Sequence, residues 1–385
     1  MDEKDFLTLP HHERVAQLAG ESQEPLALQS TLAAAMGSCG NRPFLAVATD
    51  PAVTSGAIGV KEALELRRLI DRARQDDLPL VLVIDSAGAR VSEGVAIQGA
   101  LRRLFAELLA ARAAGLTTIA ILGRNVFGGA SMLAMSCGIR LYADSTRLAM
   151  TGPAVIQSHN SVCAKTVTET IAAPNRLEHD PQGTPVTDGQ IATAARLREA
   201  LQSALARRPT DFETWARLQD SDLRARLASD PARNTGNVVQ VIDCDTVTLR
   251  GSRSAGPRDV VQLVDALQAI PPDCDRITLD CEWIGHSTQL ADENLLLSQY
   301  LGYLCSVIHA IEARGTTVCL RIAGTLSGGL YIALAGAASE VRLAACGRVL
   351  TLPQDILDAF VQLPAAPDPD AAVLIEHGVI DTIET

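Results

Sequence analysis

Runs of apolar residues that end in an acidic residue and a turn occur twice along the chain, once in each half. Leu78–Ala89 reads LPLVLVIDSAGA, and Arg276–His286 reads RITLDCEWIGH. A short, continuous apolar run closed by a turn is typical of a buried strand. After each run, apolar side chains recur at helical spacing, over Val95–Ala114 and over Asn294–Ala313. The pattern predicts the same strand, turn and helix in both halves.

The two halves keep the same order beyond these helices. In each half a glycine ends the helix, and a Thr-Thr pair then leads into a second buried strand. A pair of glycines next opens a helix of small residues: Gly128-Gly129 before Ala130–Cys137, and Gly328-Gly329 before Leu330–Ala337. Alternating strands and helices favour parallel pairing through right-handed crossovers. The sequence therefore predicts an α/β fold in which one unit occurs twice.

The segment between the two copies differs from both of them. Residues 169–230 are polar, interrupted by proline and rich in Arg and Asp, although Ile191–Arg207 has a helical pattern. We predict a first lobe over residues 1–205, a linker over 206–236 and a second lobe over 237–385. The length of 385 residues agrees with this division, at roughly 100–200 residues per domain.

Composition excludes several classes of function. The net charge of −12 argues against binding to a phosphate backbone, and 3% aromatic residues leave few rings for stacking on nucleic acid bases. The longest apolar stretches are far shorter than a membrane span. Nine cysteines lack CxxC pairs and the chain opens without a secretory leader, which favours a reducing cytoplasm and predicts no metal site.

Two glycine-containing turns follow neighbouring strands of the first half. Gly88 comes after the first buried strand, and Gly128-Gly129 comes after the next and begins a helix. Glycine lets a backbone approach a ligand closely, and a helix N-terminus offers free N–H groups with partial positive charge. Two such turns can aim two N–H groups at one oxygen, which is an oxyanion hole. Turning of the chain alone is the alternative, but the same set recurs in the second half.

The other catalytic patterns are absent from the sequence. It contains no G-x-G-x-x-G, phosphate-binding loop, G-x-S-x-G or H-E-x-x-H pattern. His286 occupies the turn position that Ala89 has in the first half, where it could donate a hydrogen bond to a carboxylate or supply a proton. Arg90 could pair with a substrate carboxylate or phosphate, and its alternative is an ion pair with Glu93.

Several segments resemble a known family. Ser86–Gly94 (SAGARVSEG), Val126–Met132 (VFGGASM) and Leu148–Ile156 (LAMTGPAVI) resemble the carboxyltransferase motif of acyl-CoA carboxylases, and most closely the beta subunit of biotin-independent malonate decarboxylase. Leu279–Ser287 (LDCEWIGHS) and Ser327–Ala333 (SGGLYIA) resemble its gamma subunit. The resemblance covers roughly residues 10–165 and 237–385, and it implies both subunits fused in one chain.

This resemblance implies a fold and a set of site residues. The fold is two tandem ClpP/crotonase-like spiral lobes, the carboxyltransferase fold, related by internal pseudo-symmetry with the site between them. Backbone N–H groups that hold the thioester oxygen are implied at Gly88, Ala89, Gly128 and Gly129. An opposite hole facing the departing carboxylate is implied at Gly285, His286, Gly328 and Gly329. We place further substrate contacts at Arg90, Ser131, Gly285 and Ser327.

The expected activity is decarboxylation of a malonyl-type thioester, on CoA or an acyl carrier protein, to the acetyl thioester. Loss of CO2 leaves an enolate, which fixed N–H dipoles stabilise, so no metal, biotin or covalent nucleophile is required. His286 or water then supplies a proton. An acyl-transferase partner subunit and a homo-oligomer are compatible with the resemblance. The alternatives are a biotin-dependent carboxyltransferase, a crotonase-type hydrolase or acyltransferase, and a non-enzymatic scaffold subunit.

The sequence also departs from the family pattern. A second lobe of about 150 residues is short for the family. No zinc ribbon precedes the first lobe, unlike in some bacterial acetyl-CoA carboxylase subunits. Trp283 and His286 do not follow from a general motif. These departures bear on the partner subunits and on the choice of substrate.

Overall fold

The structure is a computed structural model of the chain. It describes residues 5–20, 24–186, 192–207, 210–230, 236–243, 245–251, 253–353, 356–357 and 370–384. Within these residues the chain forms two lobes, each built on a sheet with helices packed against it.

The first lobe is built on an eight-stranded sheet. Its strands are β1 (Glu24–Leu26), β2 (Ala33–Cys39), β3 (Arg42–Ala48), β4 (Leu80–Ser86), β5 (Thr118–Phe127), β6 (Ile139–Tyr142), β7 (Arg147–Ala149) and β8 (Gly183–Pro185). Their order is β1-β2-β3-β4-β5-β6-β8, and β7 pairs with the end of β5. All seven side chains of β4 are buried, as the continuous apolar run predicts.

Helices α1 to α9 accompany this sheet. They are α1 (His11–Ala19), α2 (Val60–Gln75), α3 (Ala96–Ala113), α4 (Gly128–Met135), α5 (Pro153–Asn160), α6 (Ala164–Ile171), α7 (Ala173–His179), α8 (Ala194–Ala206) and α9 (Phe212–Ser229). The helix predicted over 95–114 is α3, and the one predicted over 191–207 is α8. The small-residue helix α4 begins at the glycine pair itself, two residues earlier than predicted.

The second lobe repeats this plan on a smaller sheet. Its strands are β9 (Val238–Asp243), β10 (Thr246–Arg250), β11 (Arg276–Cys281), β12 (Thr317–Ile322), β13 (Thr325–Ser327), β14 (Glu340–Leu343), β15 (Arg348–Leu350) and β16 (Thr382–Ile383). Six of them lie in the order β16-β14-β12-β11-β10-β9, and β13 pairs with β15. Its helices are α10 (Pro257–Ala269), α11 (Leu290–Asn294), α12 (Leu297–Ala313), α13 (Gly328–Ala335) and α14 (Ala371–Glu376).

Parallel pairing, predicted from the alternation of strands and helices, holds for the centre of each sheet. Strands β3, β4, β5 and β6 are parallel, and so are β10, β11, β12 and β14. Antiparallel pairs lie at one edge of each sheet, outside the repeated strands on which the prediction rests, in β1-β2-β3 and in β9-β10. Each of these edge strands reaches its neighbour through a short connection, which permits only antiparallel pairing.

The internal repeat is visible in matching local contacts. Isolated parallel bridges join Ile58 to Ala89 in the first lobe and Ala255 to His286 in the second. At the start of α2, Glu62 accepts a hydrogen bond from the Gly59 amide, and Asp259 does the same for the Gly256 amide at the start of α10. These contacts make His286 the structural equivalent of Ala89. The mixed α/β architecture with internal pseudo-symmetry is confirmed.

Most of the predicted linker that the structure describes is helical. Helix α9 lies within residues 206–236 and is hydrogen-bonded to α12. The Gln299 amide donates to the Gln219 side chain, and the Tyr300 hydroxyl donates to the Leu223 carbonyl. Arg226 donates to the Leu295 carbonyl, just before α12 begins. Residues 208–209 and 231–235 of the predicted linker lie outside the described residues. The exact bounds of the two lobes stay a prediction.

The largest apolar cluster runs through both lobes. It joins the inner faces of the two sheets through α3, α4, α12 and α13, and α4 packs against both α12 and α13. At this seam the Ser131 and Ser298 hydroxyls lie 2.6 Å apart. A second cluster fills the outer face of the first sheet beneath α1 and α8. None of the helices described here has both the length and the apolar character needed to cross a membrane.

Candidate active site

A cavity of about 420 Å³ opens at the seam between the lobes. Both glycine turns reach it, from opposite sides. The first lobe contributes Ala87, Ala89, Arg90, Gln98, Gly128, Gly129, Met150, Thr151 and Gly152 to its wall, among others. The second contributes His286, Gly328, Gly329, Ile332, Thr351, Leu352 and Ile356. The predicted site therefore lies where residues far apart in sequence meet.

The first-lobe turn brings two backbone segments into contact. Gly88 has φ +105° and Gly128 has φ +56°, both in the region that favours glycine. A Cβ on Gly88 would lie 2.9 Å from the Phe127 carbonyl oxygen and 3.2 Å from the Gly128 Cα. A Cβ on Gly128 would lie 3.9 Å from the Ala89 nitrogen. Only glycine permits this approach, which sets the Ala89 amide beside the start of α4.

Two amides of this turn are free to bind a ligand. Among the described residues, neither the Ala89 N–H nor the Gly129 N–H has a hydrogen-bond partner. Gly129 is the second residue of α4, where an N–H has no acceptor within the helix. The helix dipole adds partial positive charge at this end. Two unpartnered amides at one end of a helix can together stabilise an oxygen that becomes negatively charged.

The second-lobe turn has a similar backbone conformation, but a histidine side chain lies against it. Gly328 has φ +58°, close to that of Gly128. A Cβ on Gly328 would lie 2.7 Å from Cε1 of His286 and 2.8 Å from its Nδ1, so the imidazole lies directly against this glycine. The Gly329 N–H donates a hydrogen bond of 3.1 Å to His286 Nδ1. One of the two amides of the second turn is therefore occupied by a side chain of the same lobe.

This hydrogen bond defines the protonation state of His286. A ring nitrogen that accepts a hydrogen bond carries no proton, so the proton of the neutral ring is on Nε2. Burial lowers the pKa of His286 to about 4, because the charged imidazolium is poorly solvated there. At neutral pH the ring presents Nε2–H as a hydrogen-bond donor. It does not carry the additional proton of an imidazolium.

Arg90 lies in the cavity wall with its guanidinium already engaged. Its Nη1 lies 3.0 Å from a Glu62 oxygen and 3.1 Å from a Glu93 oxygen, and its Nη2 donates to the Ala57 carbonyl. The ion pair with Glu93, our alternative to substrate binding, is present. Among the described residues that line the cavity, Arg90 is the one with a permanent positive charge.

Ser131, Ser327 and Gly285 lie behind the cavity wall and outside its lining. The Ser131 hydroxyl is fully buried, donates to the Gly128 carbonyl and contacts Ser298. The Ser327 hydroxyl donates to the Ile284 carbonyl. These three residues support the turns, and Gly88 supports its turn in the same way through its backbone. A direct contact of any of them with a substrate stays a prediction.

Two side chains that the sequence analysis did not single out connect the lobes at the cavity. Glu293 of α11 is fully buried, and its carboxylate accepts hydrogen bonds of 3.0 and 2.6 Å from the Met150 and Thr151 amides of the first lobe. In the opposite direction, Gln98 of α3 donates to the Leu350 and Thr351 carbonyls of the second lobe. We refer to these contacts as the reciprocal clasps.

The reciprocal clasps hold equivalent segments, because Met150 follows β7 and Thr351 follows β15, its counterpart in the repeat. Burial raises the pKa of Glu293 to about 7, although Arg176 and the two amides oppose this change. A single acidic residue near the start of a helix is too common to mark such a position in a sequence.

Comparison with known proteins covers mainly the first lobe. The model of the carboxyl transferase domain family matches residues 1–177. A propionyl-CoA carboxylase beta chain of Rhodococcus erythropolis is 27% identical over 206 residues, which are 53% of this chain and 42% of that protein. An acetyl-coenzyme A carboxylase carboxyl transferase subunit beta of Desulforamulus reducens is 29% identical over 152 residues, 39% of this chain and 52% of that protein. The chain thus spans about half or less of these relatives.

A solved structure shows the same fold. One chain of a Pseudomonas malonate decarboxylase hetero-tetramer, determined in complex with malonate, superposes with a TM-score of 0.53 at 17% identity. The similarity covers 60% of this chain and 94% of that one. Residues 1–177 therefore match the carboxyl transferase domain family, and the chain shares its fold, over 60% of its length, with that malonate decarboxylase chain.

Proposed function

We propose that the protein is an enzyme that decarboxylates a malonyl-type thioester to the acetyl thioester. The observation that carries the proposal is the pair of unpartnered amides, Ala89 and Gly129, at a cavity between the lobes. The malonyl class of substrate is suggested by the similar fold of the Pseudomonas malonate decarboxylase chain. The thioester is carried by CoA or by the phosphopantetheine-type arm of an acyl carrier protein.

In this mechanism the thioester carbonyl oxygen lies between the Ala89 and Gly129 amides. The bond between the α-carbon and the carboxylate breaks, CO2 leaves, and the electron pair moves onto the carbonyl oxygen to form an enolate. The two amides bind the enolate oxygen more strongly than the neutral carbonyl, because its charge is larger. The N-terminus of α4 adds to this stabilisation. The remaining step is transfer of one proton to the enolate carbon.

The cavity wall that faces the substrate carboxylate favours loss of CO2, because its described residues offer this group no free positive charge. A substrate carboxylate there meets no free cation among the described lining residues, since Arg90 is paired with Glu62 and Glu93. A carboxylate that loses its water shell without gaining a counter-ion is destabilised, and neutral CO2 is not. The Nε2–H of His286 can orient the carboxylate before it leaves. Because His286 is neutral, water is the better source of the proton.

Carboxyl transfer is the second candidate function. The relatives matched by the first lobe are subunits of acyl-coenzyme A carboxylases, and some of them are described as biotin-dependent. In that reaction the carboxyl group would pass between the acyl thioester and a biotinylated carrier instead of leaving as CO2.

The proposed enzyme acts in the cytoplasm. Its proposed partners are an acyl carrier protein, an acyl-transferase subunit and a second copy of the chain.

A direct assay separates the two candidates. The purified protein is mixed with malonyl-CoA, and separately with a malonyl acyl carrier protein, and both the acetyl thioester and CO2 are measured. Decarboxylation predicts equal amounts of both products without biotin. Turnover of malonyl-CoA that requires added biotin, and that yields acetyl-CoA and carboxybiotin instead of CO2, would establish carboxyl transfer and exclude the decarboxylase. No turnover with any of these substrates would refute both activities.

Substitutions at Gly129 test the oxyanion hole. Gly129→Pro removes the N–H, and loss of one hole donor lowers kcat by roughly 100- to 1,000-fold. Gly129→Ala is the matched control, because it keeps the N–H and adds a Cβ that would lie 3.2 Å from Leu101 Cδ1, the movable end of a side chain. Activity of folded Gly129→Pro close to that of Gly129→Ala would refute the assignment.

A further inference from the structure

The two glycine turns are equivalent in backbone and different in what they can bind. In the first lobe the Ala89 and Gly129 amides are both free among the described residues. In the second lobe the corresponding amides are those of His286 and Gly329, and Gly329 donates to the His286 side chain. A methyl group in one lobe is thus replaced by an imidazole that covers an amide in the other.

The position of the imidazole is well determined by its surroundings. His286 is 3% exposed, and its ring lies against Gly328, where a side chain of any other residue would collide with it. Its Nδ1 holds the Gly329 amide at 3.1 Å. Among the described residues no other hydrogen bond to the ring is present, so Nε2–H is left for the cavity. The second turn therefore offers a ligand one backbone donor, the His286 N–H, and one ring donor, the His286 Nε2–H, where the first turn offers two backbone donors.

We propose that His286 closes the second-lobe turn to carbonyl oxygens, so that the enzyme has a single oxyanion hole and takes one carbonyl substrate at a time. In the second turn the imidazole occupies the position from which a carbonyl oxygen would accept from the Gly329 amide, so a carbonyl oxygen cannot bind both amides as it can in the first turn. Its Nε2–H suits a carboxylate oxygen. The inference rests on the proposed function for the identity of the first substrate, and it excludes a second one such as the ureido carbonyl of biotin.

The inference separates two balanced reactions. With one carbonyl site, the malonyl thioester loses CO2 and gains a proton from water at the α-carbon. With two sites, the carbon–carbon bond would break while a bond formed between the carboxyl carbon and a ureido nitrogen of biotin. The proton of that nitrogen would then pass to the enolate carbon. Closure of the second turn permits the first reaction and prevents the second.

The state of the imidazole is tested on the unaltered protein. Selective ¹⁵N labelling of histidine and a long-range ¹H–¹⁵N spectrum distinguish a ring protonated on Nε2 from one protonated on Nδ1. His286→Ala identifies the signal of this histidine by its loss. We expect the neutral ring with the proton on Nε2 from pH 6 to pH 8. A ring protonated on Nδ1, or on both nitrogens, in this range would overturn the inference, since Nδ1 could not then accept from Gly329.

The closure itself is tested with biotin methyl ester. Binding is measured by calorimetry, and carboxybiotin is sought after incubation with malonyl-CoA. The unaltered protein should form no carboxybiotin, and it should bind the ester about tenfold more weakly than His286→Ala, the value of roughly one hydrogen bond. His286→Phe is the matched control, because it fills the same space without accepting from Gly329, and it should stay closed.

The outcomes distinguish the inference from the function on which it rests. Formation of carboxybiotin by the unaltered protein, or equal binding of the ester to all three proteins, would overturn the inference. An Nε2-protonated ring and gain of binding in His286→Ala, together with no decarboxylation of any malonyl thioester, would support the inference and refute the proposed function. If His286→Ala does not fold, the spectrum and the carboxylation assay of the unaltered protein decide.

Discussion

The buried carboxylate of Glu293 makes the stability of the protein depend on pH in a specific way. It lies in the seam, accepts from the Met150 and Thr151 amides, and Arg176 donates to its backbone carbonyl. Glu293→Gln keeps the shape of the side chain and removes its titration. It also replaces one carboxylate oxygen, an acceptor, with an NH2 group, a donor. This NH2 group faces a backbone N–H, so the hydrogen bond at that position is lost.

The size and sign of the effect follow from the pKa of Glu293. Burial raises this pKa from 4.5 to about 7, so between these values the folded protein binds a proton that the unfolded chain has lost. Stability therefore falls as pH rises through this window and is constant above it. The difference between the two pKa values corresponds to about 3 kcal/mol in the free energy of unfolding. Glu293→Gln lacks this contribution at every pH.

Urea unfolding at pH 5 and pH 8 measures the effect. We expect the stability of the unaltered protein relative to Glu293→Gln to be about 3 kcal/mol lower at pH 8 than at pH 5. Gln98→Leu is the matched control, since it removes the other clasp, which has no titratable group. Its pH dependence should parallel that of the unaltered protein. A difference between the unaltered protein and Glu293→Gln that is the same at both pH values would refute the reasoning.

Two further predictions concern packing and buried charge. Asp180→Asn leaves the Arg140 guanidinium without its fully buried counter-ion, so we expect a loss of about 3–5 kcal/mol in urea unfolding. A loss below about 1 kcal/mol would contradict this. Gly99→Ala places a Cβ in steric clash with the His377 carbonyl oxygen of the other lobe, and should cost about 1–3 kcal/mol. Gly152→Ala, with nothing within 4 Å of its Cβ, should cost less than about 1 kcal/mol, because alanine is only a poorer N-cap of α5, and equal losses in both variants would refute the packing argument.

The fold was largely predictable because its signals are local. The apolar run at Leu80–Ser86 and the helical spacing over Ala96–Ala113 each lie within one element, and their repetition predicted two similar lobes. The start of α12 was less predictable. The helical pattern begins at 294, but Leu296 has φ +64° and separates the short α11 from α12. Long-range hydrogen bonds hold the residues just before this break, from Arg226 to the Leu295 carbonyl and from the first lobe to the Glu293 carboxylate, and a local pattern does not contain them.

The site was predictable to the level of its backbone. Glycines after neighbouring strands indicated the two turns, and the structure brings Ala89, Gly129 and His286 to one cavity. Neither the Nδ1 contact of His286 nor the burial of Ser131 could be predicted. Both depend on the direction in which a side chain points from its turn. The sequence is the same whether the imidazole points at the Gly329 amide or at solvent, so it carries no signal of this direction.

The reciprocal clasps bind backbone groups only. Glu293 holds the amides of residues 150 and 151, and Gln98 holds the carbonyls of residues 350 and 351. The side chains at Met150, Thr151 and Thr351 nevertheless line the cavity. Thr351 is only partly buried, so this position can accept new side chains without loosening the joint between the lobes. Met150, in contrast, is buried in the apolar cluster of the seam and its side chain lies against Gly329 of the second lobe, so its replacement would lose packing. For an engineer who wishes to change the acyl group that the cavity admits, Thr351 is the one of these three positions at which a library would sacrifice the least stability.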